Sequence, residues 1–326
     1  MREKDDLMIS IVIPAFNEEG AIGDTVLGIQ ELELDQYEIL VIDDGSTDST
    51  ARVAATAGAQ VVSHPYNIGN GAAVKTGIRN AQGRVIVIMD GDGQHDVHDI
   101  PRMLSYIHRY HMVIGARQRS SVVSFHRSVA NKVLTWFASL VASVPIADLT
   151  SGFRVVRRPD ALRFCDMLPN TFSYPSTTTL AFLRTGRSIK YVPIKTRARI
   201  GTSKIKPLRD GTRFLLIIVK IAMTFSPFRV FLPVSLATFL LGVGWYFYTY
   251  WFFGRFTNMS HLMMNSSLII FMLGLIAEQI TSFRLEKGDG LFRVEDNSQF
   301  SGFEKYGLSE KETAPDIPVK LVQRSG

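Results

Sequence analysis

The stretch Val85-Ile86-Val87-Ile88-Met89-Asp90-Gly91-Asp92-Gly93-Gln94-His95-Asp96 decides the fold. A continuous apolar run of this length suits a parallel strand covered on both faces. Asp90 and Asp92 follow it directly, with glycines at 91 and 93 that let the backbone turn tightly and a bulky ligand come close. Two carboxylates at the mouth of a buried strand repel and lose solvation, which raises their pKa values unless a cation sits between them. Hard oxygen donors near phosphates favour Mg²⁺ or Mn²⁺. Three other readings compete. An EF-hand loop needs a Glu at its twelfth position, where Pro101 stands, and a helix before it rather than a strand. A phosphatase-type Asp-x-Asp nucleophile does not suit this depth in the chain. A solvated turn remains open, because Asp and Gly are common turn residues. The flanking sequence discriminates.

Outward from that stretch, strands alternate with helices. Met8–Ile13 reads as a first strand closed by Pro14, and Ala21, Ile22, Thr25, Val26, Ile29 and Leu32 then recur at helical spacing. Glu38–Ile42 reads as a second strand, followed by a helix through Ala51–Ala57 that stops at Gly58. A short strand at Gln60–Ser63 leads to Asn67-Ile68-Gly69-Asn70-Gly71 and a helix to about Ala81. Arg84–Met89 and His111–Gly115 are further strands. The alternation implies an α/β fold with a mostly parallel sheet. Ligands of such sheets gather outside the carboxyl ends of the strands. Asn17-Glu18, Asp43-Asp44 and Asp90/Asp92 each follow a strand, so three acidic clusters share that rim and imply nucleotide binding. A dinucleotide fold is disfavoured because Gly69-x-Gly71 lacks a third glycine at the proper spacing, and no Gly-x-x-x-x-Gly-Lys-Ser/Thr loop occurs.

The chain has 326 residues, 46% hydrophobic, with a net charge of +6, enough for one sizeable α/β domain and something smaller. Cys165 is the single cysteine, which excludes an internal disulfide and reads as a small buried hydrophobe. No signal peptide is expected, since Met1–Asp6 is charged and a strand follows. Val230–Phe253 carries no charge and would span about 36 Å as a helix, long enough to cross a bilayer. Leu262–Phe283 is a second such stretch, with Glu278 near its end as its one charge, suiting an interfacial or helix-packing role. Before them, Lys195, Arg197, Arg199, Lys204, Lys206, Arg209 and Arg213 crowd together, and Phe214–Phe225 reads as an apolar helix lying in an anionic membrane face. Only Gly254–His261, with one arginine, links the two spans, so they form a hairpin whose basic flanks face the cytoplasm. The expected division is a catalytic domain over 1–204, a juxtamembrane helix over 205–227, the hairpin over 228–285 and a cytoplasmic tail over 286–326.

Five segments in order carry a family pattern: Ile13-Pro14-Ala15-Phe16-Asn17-Glu18, Asp43-Asp44-Gly45-Ser46-Thr47-Asp48, Asn67-x-Gly69-x-Gly71-Ala72-Ala73, Asp90-Gly91-Asp92-Gly93-Gln94 and Ser151-Gly152-Phe153-Arg154. With the basic segment and the hairpin, they resemble family 2 glycosyltransferases that act on polyprenyl phosphates, such as dolichol-phosphate mannose synthases and bacterial undecaprenyl-phosphate glucosyltransferases. The resemblance covers about residues 8–285. It implies a glycosyltransferase A fold, a Rossmann-like mostly parallel sheet, and an inverting mechanism at the cytoplasmic face of the plasma membrane. It implies that Pro14, Phe16, Glu18, Asp43 and Asp44 hold the nucleotide, and that Asp90 and Asp92 hold the diphosphate and a divalent cation with Gln94 as a further ligand. The family often has Tyr at Phe16, and Lys or Arg at Asn70. Asp148 matches its proposed catalytic aspartate, a weak base or an orienter of the acceptor, working with Asp92. Arg117, Arg127, Arg199, Ser203 and Lys204 would grip the acceptor phosphate, for which arginine's fork is suited. Each of these arginines could instead be surface charge, and Asp148 a turn residue before a strand.

The chemistry has a basis independent of the family. A departing nucleotide diphosphate gathers negative charge, which a cation and nearby Arg or Lys neutralise without proton transfer. A phosphomonoester has a second pKa of about 6, so a polyprenyl phosphate acceptor needs positioning more than deprotonation. Other readings predict other features. A processive polysaccharide synthase would carry a Gln-x-x-Arg-Trp motif and more spans. A non-catalytic scaffold or flippase partner would not need every acidic strand end. Nucleic acid is a poor partner, because the basic excess lies beside the apolar stretches. The resemblance to the glucosyl branch favours a uridine donor such as UDP-glucose or UDP-GlcNAc, with GDP-mannose the alternative. Ser176-Thr177-Thr178-Thr179 lines the pocket or is helix surface, and paired spans are compatible with a homo-oligomer.

Overall fold

The computed structural model describes residues 9–117, 146–170, 173–196, 223–255, 257–289 and 297–306. The first unit is built on a seven-stranded sheet in the order β3-β2-β1-β4-β6-β5-β7. Its strands are β1 (Ile9–Ala15), β2 (Tyr37–Asp43), β3 (Gln60–Ser63), β4 (Val85–Ile88), β5 (Met112–Arg117), β6 (Arg154–Arg157) and β7 (Ile189–Ile194). All pairings are parallel except those of β6, which runs against β4 and β5. Apolar runs covered on both faces account for the strands: every residue of β1 and β4 is buried. On α1 (Ile22–Gln30), Ile22, Thr25, Val26 and Ile29 are buried, as the helical spacing requires. The other helices of this unit are α2 (Thr50–Thr56), α3 (Asn70–Asn80), α4 (Asp99–Leu104), α5 (Arg158–Cys165) and α6 (Tyr174–Arg184).

Three details differ from the sequence reading. Pro14 does not close β1, which runs on to Ala15. The Val12 carbonyl accepts from Met89 and the Ala15 carbonyl from Asp44, so Pro14 faces the β4 side. β4 pairs only as far as Val12, so the missing N–H of Pro14 leaves no ladder bond unmade. The antiparallel β6 is flanked by two arginines, and both are fully buried. Backbone carbonyls satisfy them: Arg154 donates to Ser151 and Leu149, Arg157 to Ile107 and His108. The third difference is the segment Asn297–Tyr306, a 3₁₀ helix rather than a free tail. Phe300 and Phe303 are buried in the same core as β1, β4 and α4. The Arg157 guanidinium lies 4.4 Å from the Phe300 ring centroid, and Lys305 pairs with Asp35.

The second unit covers Leu208–Leu291. Its long helices are α7 (Phe228–Phe253) and α8 (Asn258–Asp289), so the link between them is shorter than expected. They pack along a seam of small residues, with Ser235, Gly242, Thr249, Ser260, Ser267 and Thr281 buried. The Ser235 hydroxyl donates to the Ser267 carbonyl at 2.8 Å. Glu278 accepts from the Phe228 backbone N–H at 3.2 Å, satisfying an otherwise unpaired donor at the start of α7. The single acid of the second stretch is thus a cap across the hairpin. Apolar side chains point outward: the most apolar windows of the two helices are only 11% and 17% buried, unlike core helices of a globular domain.

Because Phe300 and Phe303 are buried in the core of the first unit, Asn297–Tyr306 contributes to that unit's stability. Phe303→Ala is expected to destabilise the detergent-solubilised full chain by about 3–5 kcal/mol in denaturant unfolding, as for other buried Phe truncations. An unchanged midpoint would show that the segment is dispensable.

Candidate active site

Strand register brings the polar segments to one edge. Ala15 is level with Asp43, and Asp43 with Ser63, so the loops after β1, β2 and β3 emerge side by side. Ile88 at the end of β4 is level with Arg154 at the start of the antiparallel β6, and Arg154 with Ile114 of β5. The turn 148–153 therefore arrives where β4 and β5 leave. β6 runs backwards, and that brings Asp148 to the acidic rim.

The first two loops are stitched together. Asn17 has φ 55°, the left-handed region that an Asn tolerates better than most residues. Its Oδ1 accepts from Thr47 N at 2.8 Å, and its N–H donates to Ser46 Oγ at 2.9 Å. Glu18 N donates to Thr50 Oγ1 at 2.9 Å. Gly45 (φ 72°) passes so close to the next loop that a Cβ there would lie 2.5 Å from the Tyr66 carbonyl carbon. Pro14 is buried in β1, while Phe16 and Glu18 are partly exposed at the rim.

The adjacent acids Asp43 and Asp44 are both buried. Asp43 accepts from Ser46 N at 3.1 Å, organising its own turn. Asp44 holds the neighbouring loop: one oxygen accepts from Ile68 N at 3.0 Å and from His64 Nδ1 at 2.8 Å, the other from Gly69 N at 2.8 Å. His64 Nε2 in turn meets Thr76 Oγ1 of α3 at 2.9 Å. Asp44 therefore sets the shape of the loop that opens α3.

Asp90 is about one-third exposed, and His95 Nε2 lies 3.5 Å from its Oδ2. Burial acts to raise its pKa, but hydrogen bonds from His95 and Asn70 and the charge of Arg117 outweigh it and hold the carboxyl below its usual range. On another side Gly152 touches it: a Cβ there would stand 2.7 Å from Asp90 Oδ2. Asp92 is nearly buried and accepts from Gln94 N at 3.1 Å. Among the described residues no three His, Cys, Asp or Glu side chains converge as a metal cage. Two ionisable carboxylates with an amide beside them fit a hard cation of the Mg²⁺ type, which keeps places for substrate phosphates.

The turn 148–153 is held by Arg117. Its Nε donates to Asp148 Oδ2 at 2.9 Å and its Nη2 to Oδ1 at 3.1 Å, a two-pronged pair. Asp148 Oδ1 also accepts from Thr150 N and Ser151 N at 3.0 and 3.1 Å. Burial again acts to raise the Asp148 pKa, and the Arg117 hydrogen bond and charge reverse it, so the carboxylate is ionised at neutral pH. An acid so held is a poor proton acceptor. The structure thus brings Asp90, Asp92, Gln94, Asp148 and Arg117 to the edge formed by β4, β5 and β6. Arg127, Arg199, Ser203, Lys204 and most of the apolar helix expected over 214–225 lie outside the described residues. Ser176–Thr179 are buried in α6. His95, Asn70 and Gly152 all stand inside segments quoted from the sequence, and Asn70 was noted there as the place where the family often has Lys or Arg, but none of the three was assigned a contact with Asp90.

Comparison with known proteins agrees with this geometry. Residues 10–162 match the model of glycosyl transferase family 2, and residues 226–283 match that of the GtrB C-terminal hairpin. Glycosyltransferase AglJ of Haloferax volcanii is 28% identical over 245 residues, which are 72% of this chain and 79% of that protein. The dodecaprenyl-phosphate galacturonate synthase of Rhizobium johnstonii is 30% identical over 162 residues, 46% of this chain and 48% of that protein. The crystal structure of glucosyl-3-phosphoglycerate synthase from Mycobacterium tuberculosis with Mn²⁺ and UDP-glucose superposes with a TM-score of 0.53 at 22% identity, covering 67% of this chain and 79% of that one. That likeness establishes a sheet of the glycosyltransferase A type. The acidic rim, the order of its loops and the two family matches lead to one conclusion: the chain is a glycosyltransferase belonging to family 2, with a GtrB-type hairpin towards its other end.

Proposed function

We propose that this glycosyltransferase moves a single hexose, with inversion, from a nucleotide diphosphate sugar to a polyprenyl phosphate at a membrane face. The observation that carries the reading is the meeting, at one sheet edge, of the Asp90/Asp92 pair with the Arg117–Asp148 pair. The first suits a cation-bound diphosphate, the second an incoming anionic nucleophile. The Rhizobium relative is named for a polyprenyl phosphate product, which supports the acceptor class.

In this reading Phe16, Glu18, Asp43 and the loop shaped by Asp44 bind the nucleoside, while Asp90, Asp92 and Gln94 hold a divalent cation. Such a cation, Mg²⁺ or Mn²⁺, would supply charge neutralisation on the diphosphate. Arg117, together with Arg127, Arg199, Ser203 and Lys204, grips the acceptor phosphate. Asp148 takes no proton. Its carboxylate fixes the plane of the Arg117 guanidinium, so that the remaining N–H groups are aimed before the lipid arrives. The phosphate oxygen attacks the anomeric carbon as the bond to the diphosphate oxygen breaks.

The hairpin keeps the site at the lipid surface. Its exposed apolar flanks and the aromatic run Trp245–Phe253 suit a bilayer and its interface. Both hairpin ends lead back to the catalytic unit, so both lie on one side. The basic residues flanking it favour the cytoplasmic face of the plasma membrane. UDP-glucose or UDP-GlcNAc is the favoured donor, and GDP-mannose the competing one.

A panel of radiolabelled nucleotide sugars offered with undecaprenyl phosphate and Mg²⁺ or Mn²⁺ tests the reading. One UDP-sugar is expected to label the lipid, label from GDP-mannose would redirect the donor assignment, and nucleotide release without lipid labelling would contradict the acceptor. Asp92→Ala is expected to lower kcat by at least about 10²–10³-fold, the loss typical of a removed transition-state charge stabiliser. Full turnover at saturating metal would remove the assignment. Asp148→Asn is expected to weaken use of lipid phosphate without moving the acidic limb of the kcat profile. The Asp148 pKa is depressed, so its proton is lost well below that limb; a shift of the limb in the variant would restore a base role to Asp148.

A further inference from the structure

His95 is a titratable side chain at the acidic rim, and the proposed mechanism gives it no part. It is buried, with 9% of its surface exposed. Its ring packs on Phe153 with centroids 5.1 Å apart, and its backbone bridges to Thr196, within the start of the basic segment. Nε2 faces Asp90 Oδ2 at 3.5 Å, while Nδ1 is buried with no hydrogen-bond partner. A buried ring nitrogen left unpaired is destabilising, and an apolar ring would fill a purely packing role without that cost. Gly152, the residue before Phe153, stands close beside the same Asp90 oxygen, and Phe153 supports the histidine.

We propose that His95 is a positioning residue for Asp90. Its Nε2–H holds the carboxylate in the rotamer that presents an oxygen to a divalent cation, and Phe153 and the Thr196 bridge hold the ring. The inference rests on the reading of Asp90 and Asp92 as cation ligands. With Nε2 as donor, Nδ1 is left as the bare acceptor, so the tautomer that serves Asp90 is also the one that leaves the observed nitrogen unpaired. The contact ties three segments of chain to one carboxylate: the loop 90–95, the turn 148–153 and the strand end at Thr196.

The test is a titration of the purified full chain in detergent with Mn²⁺ alone, followed by electron paramagnetic resonance, so that no sugar transfer is needed to read it. His95→Phe keeps a ring against Phe153 and removes the donor. It is expected to weaken Mn²⁺ binding about 10–100-fold, the loss typical of removing a partner that orients a ligand. His95→Gln, whose amide nitrogen can reach the place of Nε2, is expected to bind Mn²⁺ nearly as the unmodified chain does. Wild-type affinity in His95→Phe overturns the proposal, and so does equal loss in the Phe and Gln variants, which would make the ring itself the requirement. Should His95→Phe fail to fold, His95→Asn replaces it. Its shorter amide reaches only the place of Nδ1, so weaker binding than the Gln variant is expected, and equal affinity in the two overturns the proposal. Asp90→Asn separates the two levels: if it loses Mn²⁺ while His95→Phe does not, only the role of His95 falls. If neither changes affinity, the cation reading falls as well.

Discussion

Like charge concentrated at one sheet edge is the constraint on which this structure turns. Carboxylates at the ends of β2 and β4 and in the turn before β6 share one rim, where the proposed function would also bring a nucleotide diphosphate and a lipid phosphate. Without compensation, desolvation and repulsion would protonate several of them. The compensation differs from acid to acid. Asp44 is neutralised by backbone N–H groups and His64. Asp148 is neutralised by Arg117. Asp90 has His95 Nε2 3.5 Å from its Oδ2 yet stays partly open.

This division sorts the acids by task. An acid whose lone pairs are all engaged shapes the loops around the site, whereas one that keeps an exposed oxygen binds. In the proposed function Asp44 would shape the loop before α3 and Asp90 would face the ligand. The Arg117–Asp148 pair is intermediate. It is anchored on one side by the amides of Thr150 and Ser151 and open on the other, with the arginine side chain 41% exposed. A preset guanidinium of this kind binds an anion with little loss of side-chain freedom.

Much of this was legible in the residues themselves. Apolar runs ending in acids mark β1, β2 and β4, because buried strands leave few other places for a carboxylate. A strand after Asp148 was legible, but its antiparallel direction and the burial of Arg154 and Arg157 were not, because nothing in Arg154-Val155-Val156-Arg157 shows that carbonyls take both guanidiniums. Nor was the docking of Asn297–Tyr306, whose two buried phenylalanines are diluted among Ser, Gln, Gly and Glu. The part played by Asp44 was hidden for another reason: two adjacent aspartates cannot be told apart by spacing, and only their hydrogen-bond partners separate them. The left-handed Asn17 is likewise a property of the stitched loops, not of its neighbours in sequence.

The hairpin follows the same economy of polar groups. Small residues let α7 and α8 approach, and Glu278 covers an unpaired N–H at the start of α7 where water is scarce. The central claim is that Asp90 and Asp92 would hold a divalent cation whose charge would offset that of the donor's diphosphate. The most direct measurement is the phosphorus hyperfine coupling of protein-bound Mn²⁺ in the presence of UDP. Coupling to the diphosphate in the unmodified chain, lost in Asp92→Ala, is the expected result. Mn²⁺ bound at full affinity with no phosphorus coupling, or coupling that survives the loss of Asp92, would contradict it.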